Sequence, residues 1–499
     1  MKKLRIKRFI AGFVFILTAA YLLLIIPERE PSLTSSDSVS QKKQPFVWNQ
    51  DSYWQALEEK YRQLQQSSCR DTENRIASEL IEAGRLLLKI AQKSTGPDAP
   101  EFADLERRMF EAAPLVSGSN IFIPEYIRFV TDMRDVVKKQ SERWDMNADA
   151  SRITLYRLLY GGRTAIEEIM LQAPHDAFPV LIKKSDAPSQ TPAADVRNAK
   201  IHSGDILVSR GGAPTSALIA RGNDYPGNFS HIAFVYVDPG THEAKIVESH
   251  IEIGVVVSTV EEYLKDKKLR VMLLRPRADL PQIMKDPMLP HKAAEFAYKR
   301  ANEEHIPYDF AMDYKDHSKL FCSEVASAAY EQFGINLWAG ISNLSSPGLR
   351  KWLAAFGVRH FETQEPSDLE YDPQLVVVAE WRDQATLKKD HYDNAVTEVM
   401  LEGAEKGDEL SYQWYLLPLA RIVKGYSVVM NLFGRPGPVP EGMSATAALR
   451  TQYYDKRHGA IKERLSLKAE QFKADHGYAP PYWELVKLAR EAKVETEKY

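Results

Sequence analysis

The sequence predicts an α+β protein in which a small, mostly antiparallel sheet lies in the middle of the chain between two helical regions. Five short runs rich in β-branched and aromatic residues fall between residues 204 and 276, separated by turn signals such as "RGG", "DYPGN" and "DPGTH". Apolar residues recur at three- and four-residue steps before about residue 173, and this helical period returns after about residue 384. The composition, with 44% hydrophobic and 27% charged residues, is that of a folded chain.

The first thirty residues predict a membrane anchor. "MKKLRIKR" carries five positive charges, residues 9–26 contain no charged residue, and "PEREPS" ends the apolar run. That length is at the lower limit for a helix that spans a bilayer, and the positive-inside rule keeps the basic end in the cytoplasm. A cleaved signal peptide is the alternative, but no small-x-small cleavage site follows the apolar run. We expect one N-terminal span in a bacterial inner membrane, with the bulk of the chain on the periplasmic side.

A polar, Ser-rich tether at residues 31–48 separates the anchor, residues 1–30, from a helical region at residues 49–180. Trp54 and Leu57 belong to an apolar stripe at helical spacing in this region. "STGPDAP" and "PLVSGSN" interrupt the helical pattern. The sequence therefore predicts a small bundle of antiparallel helices, and the stripe is interpreted as its core.

Residues 197–383 contain the predicted sheet. Its strands are the runs "GDILVS", "HIAFVYV", "KIVESH", "GVVVSTV" and "RVMLLRP". Two helical patterns follow near residues 287–304 and 323–333, and "LVVVAEW" at residues 375–381 is a candidate for a further strand.

Residues 384–499 are predicted to form a helical C-terminal extension. Its stretch "WYLLPLARIVKGYSVVMNLFG" is apolar enough to raise the question of a second membrane span. Pro418, Arg421 and Lys424 interrupt it, so a buried or interfacial helix is favoured.

Charge and cysteine content exclude several classes of protein. The net charge of −3 gives no basic field for nucleic acid, and no cysteine and histidine spacing suggests zinc. Cys69 and Cys322 are the only cysteines, so there is no disulfide framework, although a single bridge between them stays open. We expect no cofactor and no metal, and the sequence does not define an oligomeric state.

Three residues in the middle of the chain are candidates for chemistry. Cys322 lies where a short apolar stretch turns into a helix, and a helix N-terminus favours a thiolate. His231 is the first residue of an apolar strand and follows a turn. In the next strand, alternation puts Glu248 and His250 on one face, and a buried carboxylate there needs a partner such as a histidine ring. A general base needs an orienting group of this kind.

The order of these motifs resembles a known family. The matching stretches are "SGDILVS", "SHIAFVYV", "IVESHIEIGV" and "YDFAMDYKDHSKLFCSEVASAAY". Together they resemble the circularly permuted branch of the NlpC/P60 superfamily, and most closely its YiiX/YebB-like permuted papain amidases. The resemblance covers about residues 201–333, extending to residue 381 if the later strand belongs to the domain. It implies a permuted papain-like domain between the helical N- and C-terminal regions.

The resemblance also implies roles for individual residues. Cys322 would be the nucleophile, His231 the base, and Glu248 the residue that orients the imidazole. The related lecithin:retinol acyltransferase group has a histidine in the third role, which makes His250 a lesser candidate. Tyr308 matches an aromatic position ahead of the cysteine and would line the pocket or help to hold an oxyanion.

The implied activity is that of a membrane-anchored, exported cysteine hydrolase or acyltransferase that works through a thioester on amide bonds. Peptides of the cell wall are the expected substrates, because the chain is predicted to be exported and resembles the NlpC/P60 superfamily. A lipid amide or ester at the membrane surface is the alternative substrate. A non-catalytic envelope protein that binds or scaffolds is the alternative from another class.

Overall fold

The computed structural model describes residues 15, 18–19, 21–28, 52–64, 69–174, 178–183, 187–265 and 268–497. Most of the predicted anchor and all of the predicted tether lie outside these residues. No helix in the described part of the chain is both long enough and apolar enough to cross a membrane. The predicted single N-terminal span, with its inner-membrane and periplasmic placement, is therefore wrong.

The described end of the N-terminal segment lies against the C-terminal region of the same chain. The Arg421 guanidinium donates to the backbone carbonyls of Leu24 and Ile26, and Tyr21 donates its hydroxyl to the carbonyl of Tyr415. These contacts join residues about 400 positions apart, which no periodicity in the sequence could have indicated.

A bundle of helices precedes the sheet and confirms the predicted helical flank. Its elements are α1 (Ser52–Leu64), α2 (Cys69–Ala91), α3 (Pro100–Ser117), α4 (Ile123–Ser141), α5 (Asp149–Leu155) and α6 (Gly161–Gln172), with a π-helical turn at Tyr156–Tyr160. Proline at the first position of α3 and Glu101 in its first turn are both typical of a helix start. Trp54 and Leu57 are buried in the core of the bundle, as their helical spacing predicts.

The central sheet of the described residues has seven strands: β1 (Leu181–Lys183), β4 (Ile206–Gly211), β5 (His231–Val237), β6 (Ala244–His250), β7 (Gly254–Thr259), β8 (Lys268–Pro276) and β11 (Leu375–Arg382). Their order in the sheet is β1-β11-β8-β4-β5-β6-β7, and each neighbouring pair is antiparallel. Two small sheets pair β2 (Ala193–Val196) with β3 (Ala199–His202) and β9 (Ser342–Asn343) with β10 (Glu362–Thr363). The predicted antiparallel sheet is thus confirmed, and "LVVVAEW" is a strand of it.

The remaining helices either pack on the sheet or form the C-terminal region. These helices are α7 (Pro214–Arg221), α8 (Val260–Lys265), α9 (Pro281–Lys285), α10 (Leu289–Glu303), α11 (Cys322–Glu331), α12 (Pro347–Phe356), α13 (Gln384–Glu405), α14 (Leu417–Leu432), α15 (Ala445–His476) and α16 (Tyr482–Thr496). Strand β5 is buried on both faces, because Phe234 belongs to the core under α10 and α11 while Val235 belongs to the core on the opposite face. Tyr330 of α11 packs on Phe234 and donates its hydroxyl to the carbonyl of Gly204. These contacts hold α11 against β5.

Helix α14 contains the apolar stretch for which a buried or interfacial helix was predicted. Leu419, Ile422 and Leu432 are more than half exposed, so a buried position is wrong for these residues. Lys424 on the same helix donates to the carbonyls of Pro440 and Glu441 and so holds the following loop against the helix.

A buried ionic network joins the sheet to helices on both sides of it in the sequence. The carboxylate of Glu167 in α6 pairs with Arg270 of β8, with Arg382 of β11 and with His391 of α13. Arg270 also pairs with Asp390 of α13. Removing one member of such a network leaves an uncompensated buried charge, which costs about 3–5 kcal/mol. The network therefore fixes the helical flanks against the sheet.

Candidate active site

Cys322 is the first residue of α11 and is buried. The preceding residue, Phe321, has an extended backbone, and its N–H donates to the side chain of Glu324 at 2.7 Å, which closes the first turn of the helix. The sulfur lies 4.0 Å from the carbonyl oxygen of Ser230. Cys322 is a free thiol, so the bridge to Cys69 that the sequence left open is absent.

His231 is the first residue of β5 and directly follows Ser230. The sulfur of Cys322 therefore approaches the peptide group that joins Ser230 to His231. Its Nε2 lies 2.7 Å from Oε2 of Glu248. Because Nε2 faces the carboxylate, Nδ1 is the ring nitrogen left for a second partner. The hydrogen bonds of the described residues do not include one between Sγ and the imidazole, and such catalytic contacts are often long in a ligand-free enzyme.

Glu248 lies on β6, where it pairs with Ala233 of β5 and Val256 of β7, and it is 2% exposed. In addition to His231, it contacts two further side chains through Oε1. The hydroxyl of Ser258 donates to this oxygen at 2.8 Å, and Nε2 of His250 lies 3.2 Å from it. His250 is thus a second partner of the same carboxylate, as the shared strand face predicts.

The three ionisable side chains have pKa shifts that follow from these contacts. Burial lowers the pKa of His231, although the Glu248 carboxylate acts in the opposite direction, so the imidazole is neutral near pH 7. Burial alone would raise the pKa of Glu248, but the hydrogen bonds from His231 and His250 outweigh it and hold the pKa well below its usual range. Burial alone would lower the pKa of His250, but Glu248 outweighs it and raises the pKa. The arrangement therefore pairs one carboxylate with a neutral base and a more basic histidine.

The thiol itself differs from the sequence-based expectation. Burial raises the pKa of Cys322 to about 11, although hydrogen bonds from the backbone of Ile232 and Ser323 act to lower it. A helix N-terminus alone would favour the thiolate, but here the loss of hydration is the larger effect. In the ligand-free state the sulfur is therefore a protonated thiol, and a base must remove its proton when it reacts.

Tyr308 lies in the loop before Cys322 and packs on the ring of Phe310 at a centroid distance of 4.9 Å. Burial raises the pKa of its hydroxyl well above the usual value, and the neighbouring Cys322 adds to the shift. The hydroxyl therefore keeps its proton and can act as a hydrogen-bond donor.

The part of the chain that contains these residues is similar to a known family. Residues 200–379 match the family of permuted papain-like amidase enzymes, YaeF/YiiX, C92. A crystal structure described as metalloprotein YiiX from Escherichia coli O157:H7 matches with 18% identity and a TM-score of 0.30, over 36% of this chain and 97% of that chain. A comparison with curated proteins gave no match. The predicted resemblance is confirmed, and the family match supports a cysteine hydrolase function.

The matched residues 200–379 are called the C92-like domain below, and they include Cys322, His231, Glu248, His250 and Tyr308. The structure brings these five residues into one region. Among the described residues there is no group of three or more His, Cys, Asp or Glu side chains that could hold a metal ion. Without further groups, this arrangement can transfer a proton from the thiol of Cys322 to the imidazole of His231, which the carboxylate of Glu248 orients.

Sequence reasoning missed Ser258, which lies on β7 of the C92-like domain. Its role depends on the register that pairs Ile246 with Ser258, since this pairing brings the hydroxyl to Glu248 on the neighbouring strand. The alternation in "GVVVSTV" indicates which residues share a face, but it does not indicate the pairing across strands. The position of Ser258 beside the carboxylate could therefore not be read from the sequence.

Proposed function

We propose that the protein is a cysteine hydrolase that cleaves amide bonds through a thioester on Cys322, with His231 as the base and Glu248 as the residue that orients it. The observation that carries the proposal is the hydrogen bond between His231 and Glu248 at the start of β5, beside the peptide that the sulfur of Cys322 contacts. The match of this region to an amidase family supports the same chemistry.

The first half of the reaction forms the thioester. Nδ1 of the neutral His231 takes the thiol proton of Cys322 as the sulfur attacks the carbonyl carbon of the amide. Glu248 stabilises the imidazolium that results, because its carboxylate faces the other ring nitrogen. The imidazolium then gives its proton to the leaving nitrogen, the C–N bond breaks, and the amine departs. His231 returns to its neutral form.

The second half releases the acid. A water molecule attacks the thioester carbonyl, and His231 takes a proton from it. The C–S bond breaks, a carboxylic acid leaves, and the proton returns to the sulfur of Cys322. In both halves the negative oxygen of the tetrahedral intermediate needs donors. Backbone N–H groups at the start of α11 and the protonated hydroxyl of Tyr308 are the groups proposed for this role.

The substrate is proposed as a peptide-type amide. The expectation of cell-wall peptides depended on the predicted membrane span and export, so that part of the argument is withdrawn. A second candidate is an amide or ester with a lipid-type acyl chain. The observation that favours it is an apolar cluster next to the loop before Cys322, in which Phe310 packs with Val423 of α14 and with Val439 and Met443.

The proposal is tested by trapping the acyl-enzyme. The full chain is treated with p-nitrophenyl acetate, and the acetyl adduct is located by mass spectrometry of the proteolytic peptides. We expect an adduct on Cys322 in the wild type, no such adduct in Cys322→Ala, and a strongly reduced rate in His231→Ala. Cys69→Ser is the matched control and should react like the wild type.

The two substrate classes are then compared with peptide 4-nitroanilides and with fatty-acyl amides, using wild type and Cys322→Ala in parallel. Turnover that Cys322→Ala removes identifies the class. If Cys322 forms no adduct, or if His231→Ala acylates as fast as the wild type, the enzymatic role is refuted and a binding or scaffolding role remains.

A further inference from the structure

A cavity separate from Cys322 lies between the N-terminal helices and the C-terminal end of the chain. Its volume is about 80 Å³, and none of the proposed catalytic residues lines it. Aromatic rings form much of its wall, among them those of Trp54, Tyr61, Tyr478 and Trp483. The cavity thus combines α1 with the residues at and just before the start of α16.

The aromatic wall is braced by contacts among its own rings. Trp54 and Trp483 stack with centroids 5.6 Å apart and planes 20° apart, and Tyr61 packs edge-on against Tyr478 at 5.4 Å. The carboxylate of Glu58 connects two of these rings, because it accepts hydrogen bonds from Tyr478 and from the indole N–H of Trp483, both at 2.9 Å. The rings are therefore held in place before any ligand arrives.

The ionisable side chains around the cavity are mainly acidic. Glu58 and Glu168 line it together with His391, and no lysine or arginine is among the lining residues. Among the described residues, the hydrogen-bond donors to Glu168 are neutral: the side chain of Gln172 at 3.2 Å and the backbone N–H of Tyr482 at 3.3 Å. Among the ion pairs of the described residues, none joins Glu168 to a lysine or arginine.

The neighbouring carboxylate, that of Glu167, has a different environment from that of Glu168. Glu167, one position earlier on α6, is surrounded by Arg270, Arg382 and His391. Glu168 lines the cavity without an arginine partner, and burial raises the pKa of its carboxyl although the nearby His391 acts to lower it. A cation placed in the cavity would favour the ionised carboxylate and pair with it, and aromatic faces attract cations as well.

The volume limits the size of the ligand. A single water needs about 10–15 Å³ of such space, so the cavity holds about five to eight non-hydrogen atoms. That is the size of a small alkylammonium ion. We propose that the cavity binds a small organic ammonium ion, with the aromatic rings contacting its alkyl groups and Glu168 supplying the counter-charge.

The test is calorimetric titration of the full chain with matched cationic and neutral probes. The cations are tetramethylammonium, choline and n-butylammonium, and 3,3-dimethylbutan-1-ol is the neutral analogue of choline. We expect at least one cation to bind at a single site, and choline to bind at least tenfold more tightly than its neutral analogue. Binding of the neutral analogue as tightly as choline would refute the ionic part of the proposal. Absence of binding by all three cations would refute it as a whole.

Variants then locate the site. Glu168→Gln keeps the shape and the acceptor of the side chain but removes its charge, so it should weaken cation binding at least tenfold and leave the neutral probe unaffected. Glu125→Gln, which removes an exposed carboxylate from the same bundle, is the matched control. Tyr61→Leu at the half-exposed rim tests the aromatic wall without disturbing the stacked tryptophans, and it should weaken cation binding too. Unchanged cation affinity in both Glu168→Gln and Tyr61→Leu would overturn the assignment to this cavity.

Discussion

The hydrogen bond between His231 and Glu248 is the contact on which the proposed mechanism depends most directly, and Glu248→Gln tests it. The glutamine keeps one oxygen as an acceptor but loses the charge that faces His231, His250 and Ser258. A hydrogen bond to a charged group contributes about 1.5–3 kcal/mol, and each 1.36 kcal/mol in the barrier is a factor of ten. Because the imidazolium forms only as the sulfur attacks, we expect acylation of Cys322 to slow by about 10- to 150-fold.

The assay is the rate of p-nitrophenolate release from p-nitrophenyl acetate, with the acetyl group on Cys322 confirmed by mass spectrometry. Glu252→Gln is the control, because Glu252 is an exposed residue on the following turn that contributes charge near His250. The control should lose less than about threefold, since a surface charge is screened by solvent. A Glu248→Gln variant that is folded and acylates within threefold of the wild type would refute the orienting role.

Three further predictions follow from the geometry and the buried charges. The pKa of His231 is lowered, so the neutral base persists below the ordinary histidine value of about 6.5, and the acidic limb of the pH–rate profile for Cys322 acylation should lie below that pH; a limb above it contradicts the assignment. Glu167→Gln removes one of the two carboxylates that pair with the buried Arg270 and should destabilise the protein by about 3–5 kcal/mol, measured by chemical unfolding, and a loss below 1 kcal/mol would show that the network is dispensable. Gly204→Ala should cost more than Gly334→Ala in the same assay. Both glycines have a positive φ, so alanine at either position loses about 1–2 kcal/mol of stability. Only at Gly204 would the new Cβ also meet Pro290, at 2.4 Å, and equal losses of stability in the two variants would contradict the prediction.

The sequence is informative about this fold where a feature depends on local period. The runs that became β4 to β8 are short, β-branched and bounded by turns, so their strand character could be predicted one by one. The same alternation placed Glu248 and His250 on one face of β6, and in the structure Nε2 of His250 lies 3.2 Å from Oε1 of Glu248. Local patterns were sufficient for these features because each depends on a few consecutive residues.

Features that depend on distant pairing could not be predicted. The contact of Ser258 with Glu248 requires the register between β6 and β7. The raised pKa of Cys322 requires the packing of α11 against β5, whereas the sequence showed only the helix start, which acts in the opposite direction. The N-terminal segment was interpreted from its charges and hydropathy, which do not indicate the hydrogen bonds that Arg421 donates to it.

The buried ionic network has a consequence for how this chain can be divided. The amidase family match ends at residue 379, but Arg270 of β8 finds its counter-charges in Glu167 and Asp390, which lie on either side of the matched range. Arg210 of β4 likewise faces Asp390. A fragment cut at the limits of the match would contain two buried guanidinium groups without their carboxylates. The range that matches the family is therefore smaller than the unit within which these buried charges are compensated.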